Sequence, residues 1–158
     1  MRRNEKLINE VAGVNDILGR GEIIRVAMVD GDEPYLVPLS YGFKDGAIYF
    51  HCAKEGRKIS ALRSNPNVCF EVSVDTELVK KEQACGWTYY FKSVIGRGKA
   101  VFIEDLNEKL LGLSAIMEQY GSADHSFPEK AVEATEVVRI DIEEISGKQS
   151  PAGKKKEY

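Results

Sequence analysis

From Glu22 to Val29 the chain is β-branched and apolar, which predicts a strand, and Asp30-Gly31-Asp32 after it is a turn signal. Tyr35 to Phe43 reads as a second strand, and Lys44-Asp45-Gly46 turns it into a third over Ala47 to Cys52. Two tight turns in succession predict a three-stranded meander. Strand character resumes over Val68 to Val74, Thr88 to Ile103 and Val137 to Ile145. In the last of these, Val138, Ile140, Ile142 and Ile145 mark an inner face. Gly96 and Gly98 interrupt the longest run and predict a bulge or a bend, as at the corner of a barrel.

The remaining pattern is helical or irregular. Leu7, Val11, Val14 and Leu18 recur at helical spacing within Asn4 to Leu18, predicting one or two short helices that Gly13 weakens and Gly19 and Gly21 end. Arg57 to Arg63 predicts a short helix stopped by Asn65-Pro66. Asp105 is an N-cap with Glu108 three residues on, and the helix it opens sets Leu110, Leu113, Met117 and Tyr120 on one face before Gly121. The charged stretch Asp75 to Trp87 has no clean period and is expected to contain a mobile loop. Pro151 to Tyr158 is expected to be a polar, disordered tail, leaving residues 1–150 as one domain. Six strands joined mainly by tight turns argue for a mainly β protein, a six-stranded antiparallel barrel with flanking helices. A doubly wound parallel sheet needs crossover helices that are missing.

Composition narrows the class without naming a function. At 158 residues, 43% hydrophobic and 30% charged, the chain is an ordinary globular domain, able to bury a core without staples. A net charge of −3 with no extended basic stripe argues against nucleic acid as a partner. No apolar run is long enough for a membrane helix, and no apolar segment follows Arg2-Arg3, so neither membrane insertion nor export is expected. Cys52, Cys69 and Cys85 form an odd set without a Cys-x-x-Cys pair. No disulfide framework or metal site is expected, and the cytoplasm is the natural compartment.

Three places could carry chemistry. In Glu55-Gly56-Arg57-Lys58, a glycine and two cations open a short helix, where free N–H groups and the helix dipole favour an anion. The commoner reading of such a pair is a solvated surface pair. His51 closes the third strand a few residues earlier and could donate to a ligand or pass a proton, although a strand histidine is more often simply packed. Tyr89 to Gly96 alternates aromatic, polar and apolar residues, for which cross-strand pairing is the default. His125 lies in a polar stretch and reads as a solvated loop residue. No dinucleotide fingerprint, phosphate loop, nucleophile elbow or zinc motif is present.

The run Glu33-Pro34-Tyr35-Leu36-Val37-Pro38-Leu39-Ser40-Tyr41-Gly42-Phe43, followed by Ile48-Tyr49-Phe50-His51-Cys52-Ala53-Lys54-Glu55-Gly56-Arg57-Lys58, resembles the pyridoxamine 5′-phosphate oxidase-like flavin-binding family, and within it the nitroimidazole-resistance branch. Asn65-Pro66-x-Val68-Cys69-Phe70-Glu71, Tyr90-x-x-Ser93-Val94-x-x-x-Gly98-Lys99-Ala100 and Ile145-Ser146-Gly147-Lys148 extend the resemblance from about Glu22 to Lys148. Its specificity lies in the ordered set.

The resemblance implies a split β-barrel that forms a homodimer with FMN at the interface. It implies that Arg57 and Lys58 hold the FMN phosphate, that Val37, Pro38, Leu39 and Ser40 line the ring, and that His51 sits beside it as the catalytic residue. Ser93 and Val94 would approach from the partner subunit, and Lys148 would contact the ring. The activity implied is FMN-dependent reduction of a small electrophilic substrate, supplied by an electron donor, as in nitroimidazole reductases. The alternative is a non-catalytic flavin or haem binding or storage module. Pyridoxamine phosphate oxidases proper carry a C-terminal segment with tryptophan and arginine; here Trp87 is the only tryptophan, so oxidation of the vitamin is not implied.

Overall fold

The computed structural model describes residues 6–8 and 10–151. In chain order the elements are β1 (Leu7–Ile8), α1 (Val11–Arg20), β2 (Ile24–Asp30), β3 (Glu33–Leu39), β4 (Gly42–Lys44), β5 (Ala47–Ala53) and α2 (Arg57–Ser64). There follow β6 (Asn67–Val79), a 3-10 turn (Ala84–Gly86), β7 (Thr88–Phe102), α3 (Leu106–Gln119), α4 (Glu129–Glu133) and β8 (Thr135–Ser150). All strand pairs are antiparallel, in the order β3-β2-β6-β7-β8-β5-β4, with β1 added to β8.

That order explains the barrel. β3 and β4 stand at opposite ends of the sheet. Only Ser40 and Tyr41 separate them in the chain, a link that reaches at most about 11 Å. The sheet must therefore curl until its ends nearly meet. Tyr35 to Phe43 is in effect one bent strand, whose first half pairs with β2 and whose second half pairs with β5. The free edge of β3 is left as a seam. Pro34 and Pro38 suit that edge, because an edge strand can do without ladder donors.

The inner face carries Ile24, Val26 and Met28 from β2, Ile48 and Phe50 from β5, and Phe70 and Val72 from β6. Val94 of β7 and Val138 and Ile140 of β8 complete it. α1 adds Val14, Ile17 and Leu18 to the same core, and α2 adds Ala61 and Leu62 from the side of the seam.

Mainly β architecture with flanking helices is as expected, but the strand pattern differs in instructive ways. Eight strands form instead of six, because the second expected strand divides at its bend and Leu7–Ile8 pairs with Gly147 and Lys148. The predicted helical start is therefore wrong at Leu7; α1 begins at Val11. The expected meander is not contiguous either, since the third strand lies at the far end of the sheet.

The loop expected within Asp75 to Trp87 is confined to residues 80–87, because β6 runs on to Val79. β6 and β7 continue past the barrel as a hairpin arm, offset by an irregularity between Val74 and Glu77. Asp75 takes a positive φ of 53° there. Arg20 grips its carboxylate through two bonds of 2.9 and 3.0 Å, and Lys92 approaches it at 3.1 Å. β8 likewise runs on to Ser150, pairing with the first half of β7 after a register shift opposite Arg97/Gly98.

Asp105 caps α3 by accepting the Glu108 N–H at 2.9 Å. The Glu108 side chain does not return to the cap, because it pairs with Arg139. The face α3 buries is also not the one expected. Gly112, Ala115 and Ile116 are buried, while Leu110, Leu113 and Met117 are only half-covered and Tyr120 is exposed. Small residues win that contact because a Cβ on Gly112 would come within 2.9 Å of the Tyr49 ring, and one on Gly42 within 2.3 Å of the Ala115 backbone. The expected disordered tail lies outside the described residues, except for Pro151. No helix among the described residues is long and apolar enough to cross a membrane.

Candidate functional site

α2 is amphipathic. Ile59, Ala61 and Leu62 are buried, which pins the helix beside the seam and leaves its first residue exposed. Gly56, at the N-cap, has φ 128° and ψ 169°, a conformation that side chains disfavour even though the space around it is open. It offers no side chain to cap the helix. The start of the helix thus has no side-chain cap, as an anion site requires.

Arg57 reaches from there to the turn between β2 and β3. Its Nε donates to Asp30 Oδ2 at 2.6 Å, its Nη2 lies 3.7 Å from Glu33, and its guanidinium stacks 4.4 Å from the Tyr35 ring centroid. The bond to Asp30 holds its pKa above the ordinary arginine value. Lys58 sits 5.5 Å from the centroid of Phe50, a core ring. A cation pair therefore stands at the mouth of the seam, anchored on both of its sides.

His51 lies on β5 opposite Val137, on the face away from Phe50 and Cys52. Partial burial lowers its pKa, and the charge of Lys58 lowers it further. At neutral pH the ring is an uncharged donor–acceptor. Burial, the larger effect, raises the thiol pKa of Cys52 on the opposite face.

On β3, Val37 and Leu39 turn inward against the core and Pro38 is exposed, as is Ser40 just after the strand. Ser93 and Lys148 are cross-strand partners on the outer face of β7 and β8. Ser93 is buried, whereas Lys148 is exposed with its Nζ 5.9 Å from the Phe91 ring. The Val94 side chain is fully buried in the core, so only its main chain is free to meet a ligand.

The predicted residues thus fall into two groups. Arg57 and Lys58 stand at the seam, His51 feels the charge of Lys58, and Val37 to Leu39 lie on the strand that supplies the seam's free edge, with Ser40 just after it. Ser93 and Val94 stand on β7, separated from β3 by β2 and β6, and Lys148 stands on β8, which pairs with β5 but carries Lys148 eleven residues along from Val137, the partner of His51. The three strand spacings from β3 to β7 amount to about 14 Å along the sheet.

An apolar cavity of about 450 Å³ lies elsewhere, between α1 and β8, lined by residues such as Val14, Leu18, Phe43 and Ile142. It contains none of the predicted residues. No cluster of three or more potential metal ligands exists among the described residues.

Sequence reasoning missed Asp30, Glu33 and Tyr35 as the partners of Arg57. Asp30-Gly31-Asp32 was legible only as a turn, since its contact with Arg57 spans 27 residues.

A barrel closed by one shared strand, with a cationic helix start at its seam, defines a split-barrel protein. Residues 10–149 match the family model described as pyridoxamine 5′-phosphate oxidase, and the chain belongs to that family. Within it, the chain is similar to a candidate 5-nitroimidazole antibiotic resistance protein from Bacteroides thetaiotaomicron. The two are 31% identical with a TM-score of 0.82, over 90% of this chain and 86% of that one. That likeness sets it with the nitroimidazole-resistance branch.

The flavocytochrome Anf3 of Azotobacter vinelandii shares the fold, with 24% identity and a TM-score of 0.80 over 99% of this chain and 76% of that one. An uncharacterised protein of Rhizobium meliloti is 32% identical over 57 residues, which is 36% of this chain and 37% of that protein.

Proposed function

We propose that this chain is an FMN-dependent oxidoreductase that reduces small electrophilic substrates, working as a homodimer with FMN between its subunits. The observation that carries the reading is the donor set at the start of α2. An uncapped helix N-terminus, a glycine in a conformation that exposes the main chain, and two adjacent cations fit a phosphate monoester. Arg57 offers a planar fork and Lys58 a point charge.

When bound, the flavin supplies hydride or electron transfer. The residues of the chain do the rest. Arg57 and Lys58 hold the phosphate and thereby fix the pose, while Val37 to Ser40 border the ring along the free edge of β3. His51, kept neutral, orients the substrate through a hydrogen bond from its ring N–H.

Ser93, the Val94 main chain and Lys148 serve the partner's site, which is why they stand apart from the seam in one chain. Support for a dimer comes from the outer face of β3, β2 and β7, where Leu36, Val29 and Ile95 are 58%, 40% and 48% exposed. The three free cysteines suit a reducing cytoplasm.

The test is the absorbance spectrum of the purified protein, followed by fluorescence titration of the apoprotein with FMN. Flavin absorbance, bleached anaerobically by a nicotinamide donor, is expected. Arg57→Ala should weaken FMN binding at least tenfold, about 1.4 kcal/mol. Absence of flavin with no uptake on titration would overturn the reading. A Soret band after reconstitution with haem and FMN in competition would favour the haem-binding alternative instead.

A further inference from the structure

We infer that Asp30 and Tyr35 are positioning residues for Arg57, holding its guanidinium ready for the phosphate before any ligand arrives. The inference rests on the flavin-binding reading above and deepens it.

Arginine on an exposed helix start normally samples many rotamers, and a ligand must then select one at an entropic cost. Here the side chain is 54% exposed yet restrained from two directions. Asp30 Oδ2 takes the Nε edge at 2.6 Å, and the Tyr35 ring covers one face of the guanidinium at 4.4 Å. These contacts set both the plane and its rotation. Two Nη groups remain at the far end, and among the described residues Glu33, 81% exposed, lies 3.7 Å from one of them.

The restraints come from rigid elements. Asp30 closes β2 and Tyr35 lies in β3, and the two strands are paired from Ile24/Leu39 to Asp30/Glu33. The tight turn at Gly31, with φ 62°, fixes the distance between them. The contact also crosses the seam, so the arginine is placed relative to β3, along which the ring is proposed to lie. A loose arginine would bind phosphate anywhere within its reach; a held one binds it in register with the barrel.

The experiment is FMN titration of the full-length apoprotein, with thermal melting of each apoprotein alongside. Asp30→Asn should raise the FMN Kd roughly fivefold or more, and Asp30→Glu should recover part of the loss. Tyr35→Leu should weaken binding while Tyr35→Phe, which keeps the ring, should not. In an Arg57→Ala background Asp30→Asn should have no further effect, because its influence passes through that guanidinium.

An Asp30→Asn protein that binds FMN as tightly as the parent, or tighter, overturns the inference. So does a loss that persists undiminished in the Arg57→Ala background, which would mark a structural role only. If Asp30→Asn does not fold, the Tyr35 pair decides by the same criterion. The cofactor reading fails separately: Arg57→Ala with undiminished FMN affinity removes it, and this inference with it. Weakened Arg57→Ala beside an indifferent Asp30→Asn and Tyr35→Leu removes the inference alone.

Discussion

The phenol of Tyr41, with no exposed surface, donates a 2.5 Å hydrogen bond to the Leu18 carbonyl at the end of α1. The same carbonyl accepts from Gln119 Nε2 at 2.9 Å, and Gln119 also donates to the Gly21 carbonyl at 2.8 Å. Tyr120 adds a 2.5 Å bond to the Glu22 carbonyl and accepts the Tyr41 N–H at 3.2 Å. The end of α3, the end of α1 and the bend between β3 and β4 are thereby tied at one point. That knot holds the shared strand where it crosses from one end of the sheet to the other. Burial accordingly pushes the Tyr41 phenol well above its usual pKa.

Tyr41→Phe isolates the hydroxyl. Ring packing is retained, and the Leu18 carbonyl keeps Gln119 as a partner, so no buried acceptor is orphaned. The expected cost is about 1 kcal/mol, the net worth of one hydrogen bond. For a chain of this size that lowers Tm by about 2–4 °C. Thermal melting checks it; a melting point equal to the parent's would show that the bond contributes nothing to the knot.

Gly96 tests the barrel interior. A Cβ there would fall 2.2 Å from Cζ of the Phe70 ring, which lies fully within the core. Gly96→Ala should destabilise the protein by about 1–3 kcal/mol through overpacking. Because the obstacle is a side chain rather than backbone, Phe70→Leu should restore part of the loss in the double variant. Gly98 differs, since its added Cβ would meet the Asp141 carbonyl oxygen at 2.1 Å. Gly98→Ala should resist rescue by any side-chain change. Denaturant unfolding of the singles and the double decides whether the two losses couple as stated.

These two glycines show what was legible in the chain and what was not. Their position in the long strand predicted a bulge or bend, and the register does shift at Arg97/Gly98, but the close approach across the sheet that requires glycine is something no local pattern reveals. Strand and helix existence followed from periodicity at β2, β7 and α3, each of which buries mainly one face, and from a short apolar run between turns at β5, which is covered on both faces. The arm beyond Val74 was illegible, since a two-stranded extension with no core to face has no hydrophobic period. The Leu7–Ile8 strand was hidden because leucine at helical spacing from Val11 and Val14 looks the same from either side. At the candidate site, Gly56-Arg57-Lys58 is legible as a cationic helix start that favours an anion, whereas the contacts of Arg57 with Asp30 and Tyr35 depend on the curl of the sheet.

His51 should confer a pH dependence of known sign. Burial and Lys58 lower its folded pKa below the usual 6.5, so the folded state favours the neutral ring. The unfolded chain then binds more protons than the folded one as pH falls through the histidine range. Stability from this group is fully present above the unfolded pKa and declines as pH drops through about 6.5 toward the lower folded value. His51→Gln should flatten that part of the Tm–pH curve relative to the parent. An NMR titration of the His51 ring should show a midpoint below the model-peptide value. A midpoint at or above it would contradict the partial desolvation of the ring and the proposal that it acts as a neutral group beside the substrate.

The division of the candidate residues between seam and outer sheet leads to a complementation test. If Arg57 serves one flavin site and Lys148 the other, each two-fold dimer builds both sites from residues of both subunits. Arg57→Ala and Lys148→Ala homodimers should each bind FMN weakly. Mixed and allowed to exchange subunits, half of the dimers become heterodimers. One site of each heterodimer then carries both substitutions and the other carries none. About one quarter of all sites should regain parental affinity, detectable as a tight phase in an FMN titration that neither variant shows alone. Were both residues supplied by the same subunit, every heterodimer site would retain one substitution and no tight phase would appear. Ile95→Glu, placed on the exposed face between Glu71 and Ser146, should abolish the effect by preventing pairing of the subunits. Sedimentation velocity on that variant should then report a monomer, and an unchanged dimer would move the interface away from this face.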